Sequence, residues 1–338
     1  MLSPQTSFDQ VEKTARTAVS QTLGVSRREV LKIGAATAGC SAFSLACPYD
    51  SLAEDKEEKA MNYIDAHVHV WTPDTEKYPL AKGYQKSDMK PPSFTPEELM
   101  AHAKPCGVSR VVLIQMSFYG FDNSYMLDVM HKFEGVYSGV AVIDEDDSPA
   151  ERMRELKKQG VRGFRIRPED AKPDAWLKTD GMRAMWKCGA EENLAMCHLI
   201  NPEYLPAVAE MCREFGDTPV VVDHFARIGV DGTIRKSDLE NLRALAKFKT
   251  TSVKVSAYYA LGKKKAPYAD LGPMIRQLLD AYGPERLMWA SDCPFQVQEG
   301  HEYAPSIDLI KGGLDFLSKN DRDWILRGTA ARVFFGES

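Results

Sequence analysis

Basic charge is scarce in this chain: 43 Lys and Arg stand against 48 Asp and Glu, a formal net charge of -5. With no basic stripe, the electrostatic footprint of a nucleic-acid binder is excluded. The sequence also lacks a stable membrane span, because the apolar run from Ile33 to Cys47 is short and rich in Gly, Ala and Ser. Cysteine is sparse, seven residues in 338 with no Cys-x-x-Cys pair, which leaves neither a sulfur zinc site nor a disulfide framework. Cys106, Cys188, Cys197, Cys212 and Cys293 read as small buried hydrophobes. No Gly-rich phosphate loop follows the first apolar strand, which counts against an open doubly wound nucleotide-binding sheet. Internal repeats and low-complexity tracts are missing too.

What is present begins with an address. Ser26-Arg27-Arg28-Glu29-Val30-Leu31-Lys32 has the form of a twin-arginine motif, followed by the weakly apolar run and by Ser51-Leu52-Ala53, small residues of the kind a signal peptidase reads. Residues 1–53 are therefore expected to be a signal for the twin-arginine export machinery, with a periplasmic or exported destination; Cys40 offers a lesser alternative, lipid anchoring. Changing Arg27 and Arg28 to Lys is expected to strand unprocessed precursor in the cytoplasm, and equal periplasmic yield from that variant would remove the argument. Residues 54–61 are an acidic and basic linker, and residues 62–338 the folded domain.

At 44% hydrophobic and 27% charged, the chain can bury a large core. Beyond the linker, eight apolar strands are expected at Tyr63–Trp71, Arg110–Met116, Val136–Ile143, Val161–Arg167, Leu194–Ile200, Pro219–His224, Ser252–Ser256 and Arg286–Ala290. Amphipathic helices alternate with them, for example Pro96–Lys104, Ala150–Gln159 and Gly181–Glu192. Strands apolar on both faces that alternate with helices imply a parallel sheet, and eight such units imply an α/β fold closed as a (β/α)8 TIM barrel.

Active sites of such barrels form at the C-terminal ends of the strands. In Asp65-Ala66-His67-Val68-His69 the two histidines share one face of a strand, the arrangement that lets both imidazoles reach one point. His198, His224 and Asp292 fall at the ends of the fifth, sixth and eighth strands. Three imidazoles and a carboxylate with an open position, His67, His69, His198 and Asp292, suit a single divalent ion such as zinc. Such an ion makes water nucleophilic near neutral pH. Asp292 is expected to act as ligand and general base, and His224, with His198, to orient the water or stabilise the developing oxyanion.

Five motifs together carry a resemblance. These are Asp65–His69, Gln115-Met116-Ser117-Phe118-Tyr119-Gly120-Phe121-Asp122-Asn123, Gly160-Val161-Arg162-Gly163-Phe164-Arg165, Asp223-His224-Phe225-Ala226-Arg227 and Ser291-Asp292-Cys293-Pro294-Phe295. Over residues 62–338 the chain resembles the amidohydrolase superfamily, and within it the branch that contains 2-pyrone-4,6-dicarboxylate lactonase, sugar-acid lactonases and some decarboxylases. The resemblance implies a hydrolase that opens the lactone ring of an anionic small molecule. Arg165 and Arg227 would bind its carboxylate, and Ser117, Tyr119 and Asn123 would line its site. Members of that branch also work without metal. Arginine on the fourth strand, in place of a carbamylated lysine or bridging glutamate, implies one ion rather than two. Non-oxidative decarboxylation and a non-catalytic carboxylate-binding barrel are the competing functions. Assembly into a homo-oligomer is left open by the sequence.

Overall fold

The computed structural model describes residues 62–168, 172–173 and 175–337. The export signal, the Cys40 alternative and the whole linker lie outside them. All eight expected strands form: β1 (Tyr63–Val68), β2 (Val108–Ile114), β3 (Tyr137–Ala141), β4 (Val161–Ile166), β5 (Ala195–His198), β6 (Val220–Val222), β7 (Thr251–Val255) and β8 (Leu287–Trp289). They pair in parallel in chain order. Each strand ends one to three residues before its apolar run does, and in β1, β6 and β8 the residues that follow carry His69, His224 and Asp292.

The helices that return the chain are α1 (Pro96–Ala103), α2 (Ser124–Lys132), α3 (Pro149–Lys158), α4 (Asp180–Glu192), α5 (Leu205–Glu214), α6 (Lys236–Ala244) and α7 (Gly272–Tyr282). Their starts follow from local chemistry. In α1, Pro96 supplies a preset φ at the first helical position, and Thr95 and Glu98 cap each other's backbone N–H groups. After β8 come α8 (Tyr303–Asp308), α9 (Lys319–Asp323) and α10 (Thr329–Phe335).

Apolar side chains separate into two layers. One lies between the sheet and its helices; the other fills the lumen with Ile64, Ala66, Val112, Ile114, Val140, Ala195, Cys197, Val221, Met288 and Ala290. Ala330, Ala331 and Phe334 of α10 plug the lumen floor. Burying a phenyl ring such as that of Phe334 contributes about 1.5–3 kcal/mol.

The sheet is a nearly closed barrel, because β8 and β1 are joined past the end of β8 rather than along it. Val68 bridges Cys293 in parallel, Asp292 N–H donates to His67 O at 2.9 Å, and His69 N–H donates to Cys293 O at 2.8 Å. Asp65 reinforces the seam from outside: its carboxylate accepts from Ser291 N–H (2.9 Å) and from the Tyr303 hydroxyl (2.7 Å).

Candidate active site

A β-bulge creates the site. Asp65 pairs with Val111 and Val68 with Leu113, so β1 advances three residues while β2 advances two. Strict alternation would put Ile64, Ala66 and Val68 on one face and Asp65, His67 and His69 on the other. The extra residue resets the phase. Ile64 and Ala66 enter the lumen floor, the imidazoles of His67 and His69 enter its mouth, and Asp65 and Val68 face outward.

Asp292 is the hub. Its Oδ1 lies 3.5 Å from His67 Nε2, 3.6 Å from His69 Nε2 and 3.7 Å from His224 Nε2, and its Oδ2 accepts from the Tyr259 hydroxyl at 2.7 Å. Burial alone would raise the Asp292 carboxyl, but its contacts with His224, His69 and His67 outweigh that and hold it below the usual carboxylate range. It is an anion at neutral pH. Burial also depresses the histidines, His224 to about 4, so their rings are neutral there.

His224 opens a left-handed run in which His224, Phe225, Ala226 and Arg227 have φ of 51, 53, 52 and 60°. This backbone costs an L-residue about 1–2 kcal/mol per position. The surroundings fix it: Phe225 and Ala226 are wholly buried, and the His224 ring is held by Ser256 Oγ at 2.8 Å from Nδ1. Strain of this kind concentrates at functional sites.

The lone pairs test whether a cation fits. Nδ1 of His69 meets the carbonyl of Ile114 at 2.9 Å, so it carries the ring proton and leaves Nε2 bare. Ser256 donates its hydroxyl to Lys254 O at 3.4 Å and accepts from His224 Nδ1, so Nε2 of His224 is bare as well. Two lone pairs thus face the Asp292 carboxylate. Acceptors facing acceptors in a buried site call for a cation among them, and the donor set fits one. Donor atoms of His67, His224 and Asp292 lie within 4.8 Å of one another, while His69 flanks Asp292 outside that group.

His198 is placed differently from the sequence expectation, which set it among the ligands and catalytic groups. Cys197 points into the lumen, so the next side chain points out, and His198 packs between Trp176 and Trp186 with ring centroids 5.7 and 5.5 Å away. Neither of its ring nitrogens has a hydrogen-bond partner among the described residues. Burial lowers its pKa to about 3. His224 takes the expected place of His198 in the ligand group.

Among the expected substrate contacts, Arg165 enters the site, with Nη2 at 3.5 Å from His67 Nε2 and 3.9 Å from Asp223 Oδ2. Its Nε is buried without a hydrogen-bond partner among the described residues. Arg227 reaches Asn201 Oδ1 at 3.4 Å. Asn123 is a brace: its amide donates to the carbonyls of Phe121 (3.0 Å) and Val142 (2.9 Å) and accepts from Val142 N–H (3.1 Å). Tyr119 is buried, its hydroxyl accepting from Thr72 N–H at 3.4 Å, and Ser117 is half-buried at the head of the same turn.

Two site residues escaped the sequence reading. Lys254 is wholly buried in β7, and Asp223 begins the left-handed turn; they face each other at 3.0 Å. Burial would raise the Asp223 carboxyl, but the charges of Lys254 and Arg165 and the His67 ring hold it well below its ordinary range. A lysine flanked by inward-facing Ser252 and Ser256 in an otherwise apolar strand was the available signal.

Comparison with known proteins gives this barrel a family. The amidohydrolase family model matches residues 64–336, and the chain belongs to that family. It is 27% identical to a 4-sulfomuconolactone hydrolase of Hydrogenophaga intermedia, over 80% of this chain and 88% of that protein. It is also 27% identical to an L-fucono-1,5-lactonase of Burkholderia ambifaria, over 80% of this chain and 94% of the relative. An amidohydrolase of Burkholderia multivorans with bound zinc superposes with a TM-score of 0.69 at 22% identity, covering 81% of this chain and 99% of the other, and shares the fold.

Proposed function

We propose that this amidohydrolase opens the lactone ring of a carboxylated or sugar-derived small molecule, using one divalent ion, zinc, held by His67, His224 and Asp292. The carrying observation is the convergence of bare imidazole nitrogens on an ionised, buried carboxylate. Both relatives described above bear the names of lactone hydrolases, which supports the substrate class.

When bound, the ion would bring the pKa of water toward 7 and polarise an ester carbonyl. The chain's own groups do the rest. Asp292 accepts the water proton, with the Tyr259 hydroxyl on Oδ2 fixing the plane of the carboxylate so that Oδ1 faces the site. Arg165 offers a buried guanidinium to a substrate carboxylate, a planar fork suited to two parallel hydrogen bonds. Charge arithmetic favours an anionic substrate. Lys254 and Arg165 already balance Asp223 and Asp292, so a divalent ion would leave the site with excess positive charge, which a substrate carboxylate would reduce.

The test is a panel of carboxylated and neutral sugar lactones read by a pH indicator, with the protein as purified, after chelation and after zinc is returned. Ring opening that is lost on chelation and restored by zinc is expected. Full activity in the chelated protein would overturn the metal-dependent reading. Carbon dioxide released without acid from ring opening would establish a decarboxylase instead.

A further inference from the structure

One wall of the mouth is a run of aromatic rings. Phe295 stands edge-on to His69 with centroids 5.8 Å apart and stacks on Tyr259 at 6.4 Å, and the His301 ring stands edge-on to Tyr259 at 6.1 Å. Phe295, Tyr259 and His301 are each half-buried. Asp292 has different neighbours on its two oxygens. Oδ1 faces His67 and, beyond that ring, Arg165; Oδ2 faces the Tyr259 hydroxyl and, beyond that ring, His301. Arg165 and His301 therefore flank the carboxylate on opposite sides.

Hydrogen bonds from behind fix what the His301 ring presents. Gln296 is wholly buried, and its amide nitrogen lies 3.0 Å from both the Glu302 carbonyl and the Tyr268 hydroxyl. A carbonyl can only accept, so the nitrogen rather than the oxygen of that amide belongs there, and it donates to Tyr268 as well. The single proton of the Tyr268 hydroxyl is left for His301 Nδ1, 2.9 Å away. Nδ1 is thus an acceptor, and the neutral ring carries its proton on Nε2. Buried Tyr268 also stacks on the imidazole with centroids 6.2 Å apart. Nε2 has no hydrogen-bond partner among the described residues and reaches solvent. A donor held this way is ordered before any ligand arrives, which lowers the cost of binding to it.

We propose that His301 is a specificity-determining residue, whose Nε2–H donates to a hydroxyl oxygen at the end of the substrate remote from its carboxylate. The proposal rests on the lactone-hydrolase reading and narrows its substrate: with the carboxylate on Arg165 and the scissile ester at Asp292, the rest of the molecule extends along Tyr259 toward His301. A hydroxyl at that end gains a partner; a bare hydrocarbon end does not.

Gluconate and hexanoate test this, as acids of equal chain length of which only the first is hydroxylated, with binding to the purified protein read by titration calorimetry. His301→Phe keeps a ring against Tyr259 and Tyr268 but has no donor. Its Kd for gluconate is expected to rise about three- to tenfold, the worth of one neutral hydrogen bond, while that for hexanoate stays the same. His301→Gln, whose amide can accept from Tyr268 and donate outward, is expected to restore most of the gluconate affinity. Two-bond proton–nitrogen NMR of ring-15N histidine is expected to show the parent His301 protonated at Nε2, its signals assigned by their loss in His301→Phe. Equal losses for both acids, no loss for either, or a parent that binds neither overturns the proposal, as does a proton on Nδ1. No ring opening is measured, so a lactone panel without turnover would sink the hydrolase reading while these acids still decide the role of His301.

Discussion

Asp292→Asn is expected to lower kcat by about a hundredfold or more, the range for loss of a positioned general base, with the barrel still folded. The amide has the shape of the carboxylate and keeps an oxygen for the Tyr259 hydroxyl, so geometry is preserved while basicity is lost. Metal content has to be measured first, because Asp292 is also a ligand in this reading. An Asn enzyme that retains its metal and near-normal turnover would sink the mechanism. In the parent, acid should act through the histidines. The His224 ring, depressed to about 4 by burial, is neutral at pH 7, and acid protonates the Nε2 that would otherwise hold the ion. The kcat/KM profile should therefore hold as pH falls to about 5 and drop as it approaches 4, rather than near 6.5 where a free imidazole titrates.

Arg165→Met should act on binding. A charge-assisted contact to a substrate carboxylate is worth about 1.5–3 kcal/mol. Its loss should raise KM for carboxylated lactones about ten- to hundredfold, and change kcat less if the clamp is equally engaged in ground and transition states. Neutral sugar lactones provide the control, and their KM should move little. The melting temperature has to be recorded alongside, because Arg165 also faces Asp223 at 3.9 Å and its removal leaves that buried carboxylate to Lys254 and the His67 ring. Equal KM changes for charged and neutral lactones would show that Arg165 supports the site rather than the substrate.

Much of the fold was legible because its signal is local. Each strand is an apolar run between helical stretches, and all eight appear where the runs lie, each ending one to three residues before its run does. His67, His69, His224 and Asp292 could be named from their places at strand ends, and they do meet. His198 shows where that reasoning fails. Being at the end of β5 said nothing about which way the ring points, and the parity of a short strand, set by Cys197 turning inward, sends His198 to the tryptophans. Asn123 shows the same in a loop, where backbone carbonyls claim an amide that looked free for substrate.

Alternation of apolar strands with amphipathic helices determined the parallel eight-unit architecture, because strands apolar on both faces pair in parallel beneath the helices that cover them. The residue types at the strand ends determined what chemistry the mouth can hold. Tertiary structure decided the phase. One extra residue in β1, paired against β2, turns His67 and His69 into the lumen while Ile64 and Ala66 still fill its floor. It also decided the pairing of Lys254 with Asp223, residues that fall in successive units and meet at 3.0 Å in the lumen, with His67 beside them. Neither is written in a local pattern. A bulge is set by how two strands register, and a buried ion pair exists only once the barrel removes water from both partners.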